Sequence, residues 1–209
     1  MQHGLLFSLD GLDGTGKSTQ CRLLAEWLRS QGHSVTPCKD PGGTQAGDVI
    51  RSLLLDHRGD LNVACEALLF MASRAQLVAE VIKPALAAGN MVVCDRFVLA
   101  NVVYQGHAGG LDPAWLWQWG RFSSDGLEPD LTIVLDLPAE MARQRKGGPT
   151  DRMERRDHEF HERVRAGFLA EAARQPDAIR VIDANASVDA VQERIRQEVS
   201  RVLAANLGA

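Results

Sequence analysis

Residues 5–19 read LLFSLDGLDGTGKST, and the order of residue types in that stretch decides the fold. Leu5 to Leu9 is a short apolar run of the kind that forms a buried strand, and Ser18 to Ser30 reads as a helix. Between them Gly11, Gly14 and Gly16 let the backbone turn with its N–H groups pointing inward, a nest for phosphate oxygens at a helix N-terminus. The match to G-x-x-x-x-G-K-[ST] is complete, so Gly11, Leu12, Asp13, Gly14, Thr15, Gly16, Lys17, Ser18 and Thr19 form a candidate triphosphate-binding loop. In such a loop Lys17 reaches the β and γ phosphates and the Ser18 hydroxyl sits on Mg²⁺. Glycine-rich turns after strands are common on their own; Lys-Ser-Thr and the two flanking elements carry the reading.

Outward from this loop the composition is that of an ordinary globular domain. The 209 residues are 45% hydrophobic and 24% charged, with a formal charge of −4, and suffice for one domain with a substantial core. That charge gives no support to a general nucleic-acid binder, which carries a basic excess. Cys21, Cys38, Cys65 and Cys94 are scattered without a C-x-x-C pair, as expected of reduced thiols in a cytoplasmic protein. No signal peptide precedes the first strand, and no apolar run approaches the roughly 18 residues of a membrane span.

Strands are expected at Val35–Lys39, Met91–Cys94, Leu131–Leu135 and Ile179–Ile182, each followed by polar residues. Asp40-Pro41-Gly42-Gly43 is a tight turn, and Thr44 can cap a helix that carries Val49, Ile50, Leu53 and Leu54 inward. Residues 62–88 read as one continuous helix, with Leu68 among its buried positions and Pro84 kinking its end. A helix from about Val98 to Gln105 gives way to a loop at Gly106–Gly110. Asp112-Pro113 starts another, on which Trp115, Trp117 and Trp119 pack at a core or subunit surface. Pro138 opens a helix to about Arg145. Lys146–Arg156, polar and without apolar period, reads as a mobile lid. Two further helices span 158–174 and the stripe Val188, Val191, Ile195, Val199 and Val202. Five uniformly apolar strands separated by helices predict an α/β fold, a five-stranded parallel sheet covered on both faces. Ligands of such sheets lie beyond the strand carboxyl ends, where the loop, Lys39, Asp95, Arg96 and Asp136 fall.

The ordered set G-L-D-G-T-G-K-S-T, D-P-G-G-T, F-x-x-x-R, D-R-F-x-x-x-N-x-x-Y-Q-G and I-D-A covers nearly the whole chain and resembles the thymidylate kinase family. The resemblance implies a P-loop NTPase fold with a small lid, forming one domain over residues 1–209. It also implies transfer of the ATP γ-phosphoryl group to dTMP with Mg²⁺, and a homodimer. The acceptor oxygen would already be ionised, since a phosphate monoester has a second pKa of about 6, so the task is charge neutralisation and alignment rather than base catalysis.

Residue by residue, the resemblance makes Lys17, Asp95, Arg96 and Arg143 the catalytic set, with Arg145 and Arg152 lesser candidates for the lid arginine. Ser18 and Asp95 would hold the metal, and Asp136 would be a helix cap. The acceptor contacts would be Asp13, Lys39, Phe70, Arg74, Arg96, Asn101, Tyr104 and Gln105, with Phe70 stacking on the base, Arg74 bonding its edge and Tyr104 blocking a 2′-hydroxyl. The chain has Lys39-Asp40 where the family commonly has Arg-Glu, and lysine lacks the bidentate fork of arginine. Two alternatives stay open: a kinase for another or a modified pyrimidine nucleoside monophosphate, and a non-catalytic nucleotide-binding protein.

Overall fold

The computed structural model describes residues 4–57, 59–146 and 151–207. Strand β1 (Leu6–Gly11) lies at the centre of a parallel sheet and is buried along its whole length. The order is β2 (Val35–Lys39), β3 (Met91–Asp95), β1, β4 (Leu131–Asp136), β5 (Ile179–Asp183), with Leu9 opposite Asp95 on one side and Ile133 on the other. Alternate residues of β1 and β3 feed two cores, because strand side chains point to opposite faces. Phe7, Leu9 and Val93 pack with Leu24 and Leu28 of α1 (Lys17–Ser30). Leu6, Val92 and Cys94 pack with Met71, Leu77, Val98 and Leu116. The five-stranded parallel sheet with helices on both faces is therefore as expected.

Helix α2 (Gln45–Asp56) starts where Thr44 caps it, accepting from the Gly47 N–H at 2.9 Å. Its expected inward face is corrected. Leu54 is fully buried, whereas Val49 is 69% and Leu53 43% exposed, because α2 lies on α3 (Val63–Leu77) rather than on the sheet. Leu68 of α3 is likewise exposed. The long helix is not uniform either: a π-helical turn over Val78–Ile82 joins α3 to α4 (Lys83–Ala87), accommodating Pro84, which supplies no N–H to the ladder.

After β3, α5 (Val98–Asn101) passes into a second π-helical turn, Val102–His107, so Gly106 and His107 belong to the helix rather than to a loop. The wider turn sets Tyr104 and Gln105 one after the other on the buried side. Helix α6 (Pro113–Ser123) starts at Asp112, as expected, and approaches α5 closely, with Gly120 leaving no room for a Cβ beside Val98. Trp115 is exposed, and Trp117 and Trp119 are half-buried.

Helix α7 (Ala139–Lys146) includes Lys146, the first residue of the expected lid. Gly147–Thr150 of that lid lie outside the described residues. Residues 151–156 form turns held against α2, with the Arg152 N–H donating to the Leu55 carbonyl at 3.2 Å. Arg152 and Met153 are buried, so this part of the segment is anchored rather than loose. Helices α8 (His158–Arg174) and α9 (Val188–Leu207) complete the chain.

Candidate active site

The phosphate loop needs its glycines for geometry. Gly14 and Gly16 have φ of 86° and 96°, and a Cβ on Gly14 would lie 2.0 Å from the Ala142 carbonyl oxygen of α7. A side chain at Gly14 would have to displace α7, so the loop presses directly on the helix that carries Arg145 and Lys146. Thr15 Oγ1 donates to the Leu12 carbonyl at 2.8 Å and Lys17 Nζ to the same oxygen at 2.7 Å, which closes the loop on itself. Burial, and then the neighbouring Arg96, push the Lys17 ammonium below its ordinary pKa.

Ser18 Oγ donates to Asp95 Oδ2 at 2.7 Å. Asp95 ends β3 beside β1, which places its carboxylate next to the loop. Asp136, at the end of β4, is instead engaged by Arg165 of α8 through a two-pronged bridge of 2.8 and 2.9 Å. The sheet thus separates two strand-terminal acids that sequence position alone left equivalent. Asp136 is the partner of Arg165, and its expected role as a helix cap is not what its two oxygens do.

Arg96 joins the loop to the rest of the cavity. Its Nη1 donates to the Gly11 carbonyl at 2.9 Å, its Nη2 to Asp13 Oδ1 at 2.6 Å, and its guanidinium lies 5.1 Å from the centre of the Tyr104 ring. Tyr104 Oη in turn donates to Asp13 Oδ2 at 3.4 Å. Burial alone would raise the Asp13 pKa, but Arg96 and Lys17 outweigh it and hold that carboxyl well below the usual range. Burial pushes the Tyr104 phenol up, against the pull of Arg96, so it stays a hydroxyl at neutral pH.

Beyond Arg96 the cavity, of about 600 Å³, continues past Phe70, Arg74, Asn101 and Gln105. Arg74 is buried and fixed on several sides: Nε donates to Asp40 Oδ2 at 2.5 Å, Nη2 to Asn101 Oδ1 at 3.0 Å, and the guanidinium stands 5.5 Å from the Phe97 ring centre. Asp40 has its pKa raised by burial, opposed mainly by Arg74. Its place is beneath Arg74, which it orients, while the exposed Lys39 lines the cavity.

Of the residues expected from sequence, the structure brings Asp13, Gly14, Gly16, Lys17, Ser18, Thr19, Lys39, Phe70, Arg74, Asp95, Arg96, Asn101, Tyr104 and Gln105 to the cavity wall. Gly11, Leu12 and Thr15 shape the loop behind it. Arg143 is not brought there. It is exposed and doubly bonded to Glu140 one turn back on α7, whereas Arg145 and Lys146 line the cavity. Arg145 donates to the Ala184 carbonyl at 2.8 Å, and Lys146 pairs with Glu154. Arg152 points away into a buried pair with Glu66.

A family model, Thymidylate kinase, matches residues 9–195. Thymidylate kinases of Rhodopirellula baltica and Symbiobacterium thermophilum are each 46% identical to this chain, over 92% and 95% of it and over 78% and 94% of their own lengths. The crystal structure of thymidylate kinase from Ehrlichia chaffeensis is similar, with a TM-score of 0.78 and 30% identity over 94% of this chain and 99% of that one. The chain belongs to the thymidylate kinase family. Its fold is accordingly the P-loop NTPase fold, and its class that of ATP-dependent nucleoside monophosphate kinases, which are transferases.

Within this thymidylate kinase scaffold, Arg51 at the cavity wall and the buried acids Glu66 and Asp10 were not singled out from the sequence. Arg51 of α2 lines the wall and donates to the Pro41 carbonyl at 2.8 Å. The signal for it was a lone cation inside the apolar stretch from Val49 to Leu55. Glu66 is buried one turn before Phe70. Asp10, fully buried at the end of β1, has neither carboxylate oxygen paired within the described residues, and burial pushes its pKa up to about 7 against Arg96 and Lys17. The folded state therefore holds a proton on Asp10 that the unfolded chain releases above about pH 4, and stability falls as pH rises from about 4 towards 7. Asp10→Asn removes that titration. Thermal unfolding at pH 4.5 and pH 8 is expected to show the variant gaining on the parent chain at the higher pH, and an identical difference at both pH values would contradict the buried, unpaired carboxyl.

Proposed function

We propose that this cavity transfers the γ-phosphoryl group of ATP to the 5′-phosphate of dTMP, giving dTDP and ADP, with the residues above in the following roles. The reading rests on one observation above all: Arg96 is bonded to the donor loop at Gly11 and Asp13 while forming the wall of the pocket that contains Phe70 and Arg74. Donor and acceptor sites are thus a single continuous space. An oxygen of the acceptor phosphate attacks the γ-phosphorus, and the bond to the β–γ bridging oxygen breaks with ADP as leaving group. No general base is needed, because the attacking oxygen is ionised at neutral pH.

What the protein supplies is positive charge and alignment. Lys17 and the loop N–H groups hold the donor phosphates, Arg96 and Lys39 the acceptor phosphate, and Arg145 and Lys146 the charge that builds between them. Ser18 and Asp95 are hard oxygen donors already 2.7 Å apart, a set that fits Mg²⁺, which takes one or two protein oxygens and completes its shell with phosphates and water. Bound there, the ion would neutralise the β and γ oxygens as they separate. Phe70 stacks on the base, contributing about 1–3 kcal/mol by analogy with other base–aromatic contacts, while Arg74 and Gln105 bond its edge and Asn101 holds Arg74. Tyr104, fixed by Asp13 and Arg96, closes the space a 2′-hydroxyl would need.

ADP release with dTMP, dUMP, UMP, dCMP, AMP and dGMP tests this. dTMP is expected to be preferred, with dUMP disfavoured by about tenfold for one methyl group, and a clear preference for any other acceptor would overturn the assignment. In the same assay Lys146→Ala is expected to lower kcat more than Arg143→Ala, and the reverse order would return the charge-stabilising role to Arg143.

The chain is proposed to work as a single domain over residues 1–209, in the cytoplasm where its nucleotide substrates are found, and as a homodimer. No helix of the described residues is long and apolar enough to cross a membrane. α2 packs on α3 and α3 on α6, and these helices expose Val49, Leu53, Leu68, Trp115 and Phe122, the last 88% exposed. So much apolar surface on adjacent helices suits a second copy of the chain. Leu68→Glu combined with Phe122→Glu is expected to reduce the mass in sedimentation from a dimer to a monomer. A parent chain that sediments as a monomer refutes the dimer.

A further inference from the structure

Glu66 lies outside every role given so far, yet it occupies a decisive place. It stands on α3 at the start of a stripe, Glu66, Phe70, Arg74, whose spacing of four residues puts all three on one helix face. Its carboxylate is buried and both oxygens are engaged. Oε1 accepts from Gln105 Nε2 at 2.7 Å, on the acceptor side. Oε2 accepts from Arg152 Nη2 and lies 3.9 Å from Arg156, both in the turns over residues 151–156.

From Gln105 the contacts run on without a break. Asn101 Nδ2 donates to Gln105 Oε1 at 2.7 Å, Asn101 Oδ1 accepts from Arg74, and Arg74 is anchored on Asp40. In the other direction Arg152 is pinned by Nε to the Leu54 carbonyl at 2.9 Å. Its neighbours Asp151 and Met153 line the cavity, and Glu154 pairs with Lys146 of α7. One chain of buried polar contacts therefore links the pocket that holds Arg74 and Gln105 to the segment whose Glu154 pairs with Lys146.

We propose that Glu66 is a positioning residue that couples occupancy of the acceptor pocket to docking of residues 151–156, and through Glu154 to the placing of Lys146. An acceptor base that bonds Arg74 and Gln105 fixes the amide of Gln105 and with it the orientation of the Glu66 carboxylate. The carboxylate is then held for Arg152, and the docked segment presents Lys146 to the donor phosphates. Because Glu66 touches neither nucleotide, its effect is on the coupling between the two sites, not on either site alone. By linkage the same factor acts in both directions.

The inference rests on the acceptor reading of the pocket, and its test keeps the two apart. Affinity for a non-hydrolysable ATP analogue is measured by calorimetry on the full chain with and without saturating dTMP. In the parent chain dTMP is expected to tighten the analogue by about tenfold, in the ordinary range for coupled sites. In Glu66→Gln, which keeps a partner for Gln105 but loses the charge facing Arg152, that enhancement is expected to vanish while affinity for the analogue alone changes less than about twofold. Arg152→Met should show the same loss, and the double variant no further loss, because one link is being cut twice. Removing one member of a buried pair can unfold a protein; should the single variants not fold, Glu66→Met with Arg152→Met leaves no buried charge unpaired, since Arg156 is exposed, and carries the same readout. Full enhancement in a folded variant, or none in the parent chain, overturns the coupling. Failure of dTMP to bind the parent chain at all would instead overturn the acceptor reading.

Discussion

The pair of hydrogen bonds from Arg96 to the phosphate loop is the constraint on which the site depends. Arg96 follows Asp95 at the end of β3 with φ of 70°, a conformation few residues other than glycine adopt without strain. Its N–H is tied to the Leu9 carbonyl of β1, and its guanidinium to Gly11 at the end of that strand and to Asp13 just beyond it. The central pairing of the sheet thus fixes both ends of the residue. One guanidinium therefore both lines the cavity and braces the phosphate loop, and on the reading proposed above the register of β1 on β3 sets how donor and acceptor phosphates meet.

Charge explains the rest of the arrangement. Lys17, Arg96, Arg145, Lys146, Lys39 and Arg51 converge on one cavity in a chain whose net charge is −4. Such a cluster is tolerable because acids are interleaved with it: Asp13 beside Lys17 and Arg96, Asp95 beside Ser18, Glu154 beside Lys146. Burial raises the pKa of Asp10, behind the loop, to about 7, which disfavours a further buried negative charge there. In the proposed reaction the phosphates of both nucleotides would be met by positive charge already in place, leaving little reorganisation for the reacting complex.

The phosphate loop was legible in the sequence because its chemistry is local: three glycines, a lysine and a serine at fixed spacing between a strand and a helix. Phe70 and Arg74 were legible because four residues is one helical turn. What the sequence did not show is what joins distant residues. Asp40 under Arg74 and Glu66 under Arg152 are pairs separated by 34 and 86 positions, and no periodicity connects them. Arg143 was favoured by resemblance, and only the fold shows that its side chain turns back to Glu140 while Arg145 and Lys146 line the cavity. Val49, Leu53 and Leu68 were read as inward because an apolar stripe looks the same whether it covers a core or another surface. Strand position alone did not separate Asp136 from Asp95; the resemblance did, and the fold adds that Asp136 is held by Arg165 from a distant helix.

That Arg96 is aimed at the acceptor phosphate by the donor loop is tested most directly by kcat/KM for dTMP in Arg96→Lys. Lysine keeps the charge but cannot hold Gly11 and Asp13 while also facing a phosphate, since it lacks the planar fork. The expected fall is about a hundredfold, equivalent to about 2.7 kcal/mol of lost transition-state stabilisation. A value within about twofold of the parent chain would show that charge alone suffices there and would contradict the central role given to this brace.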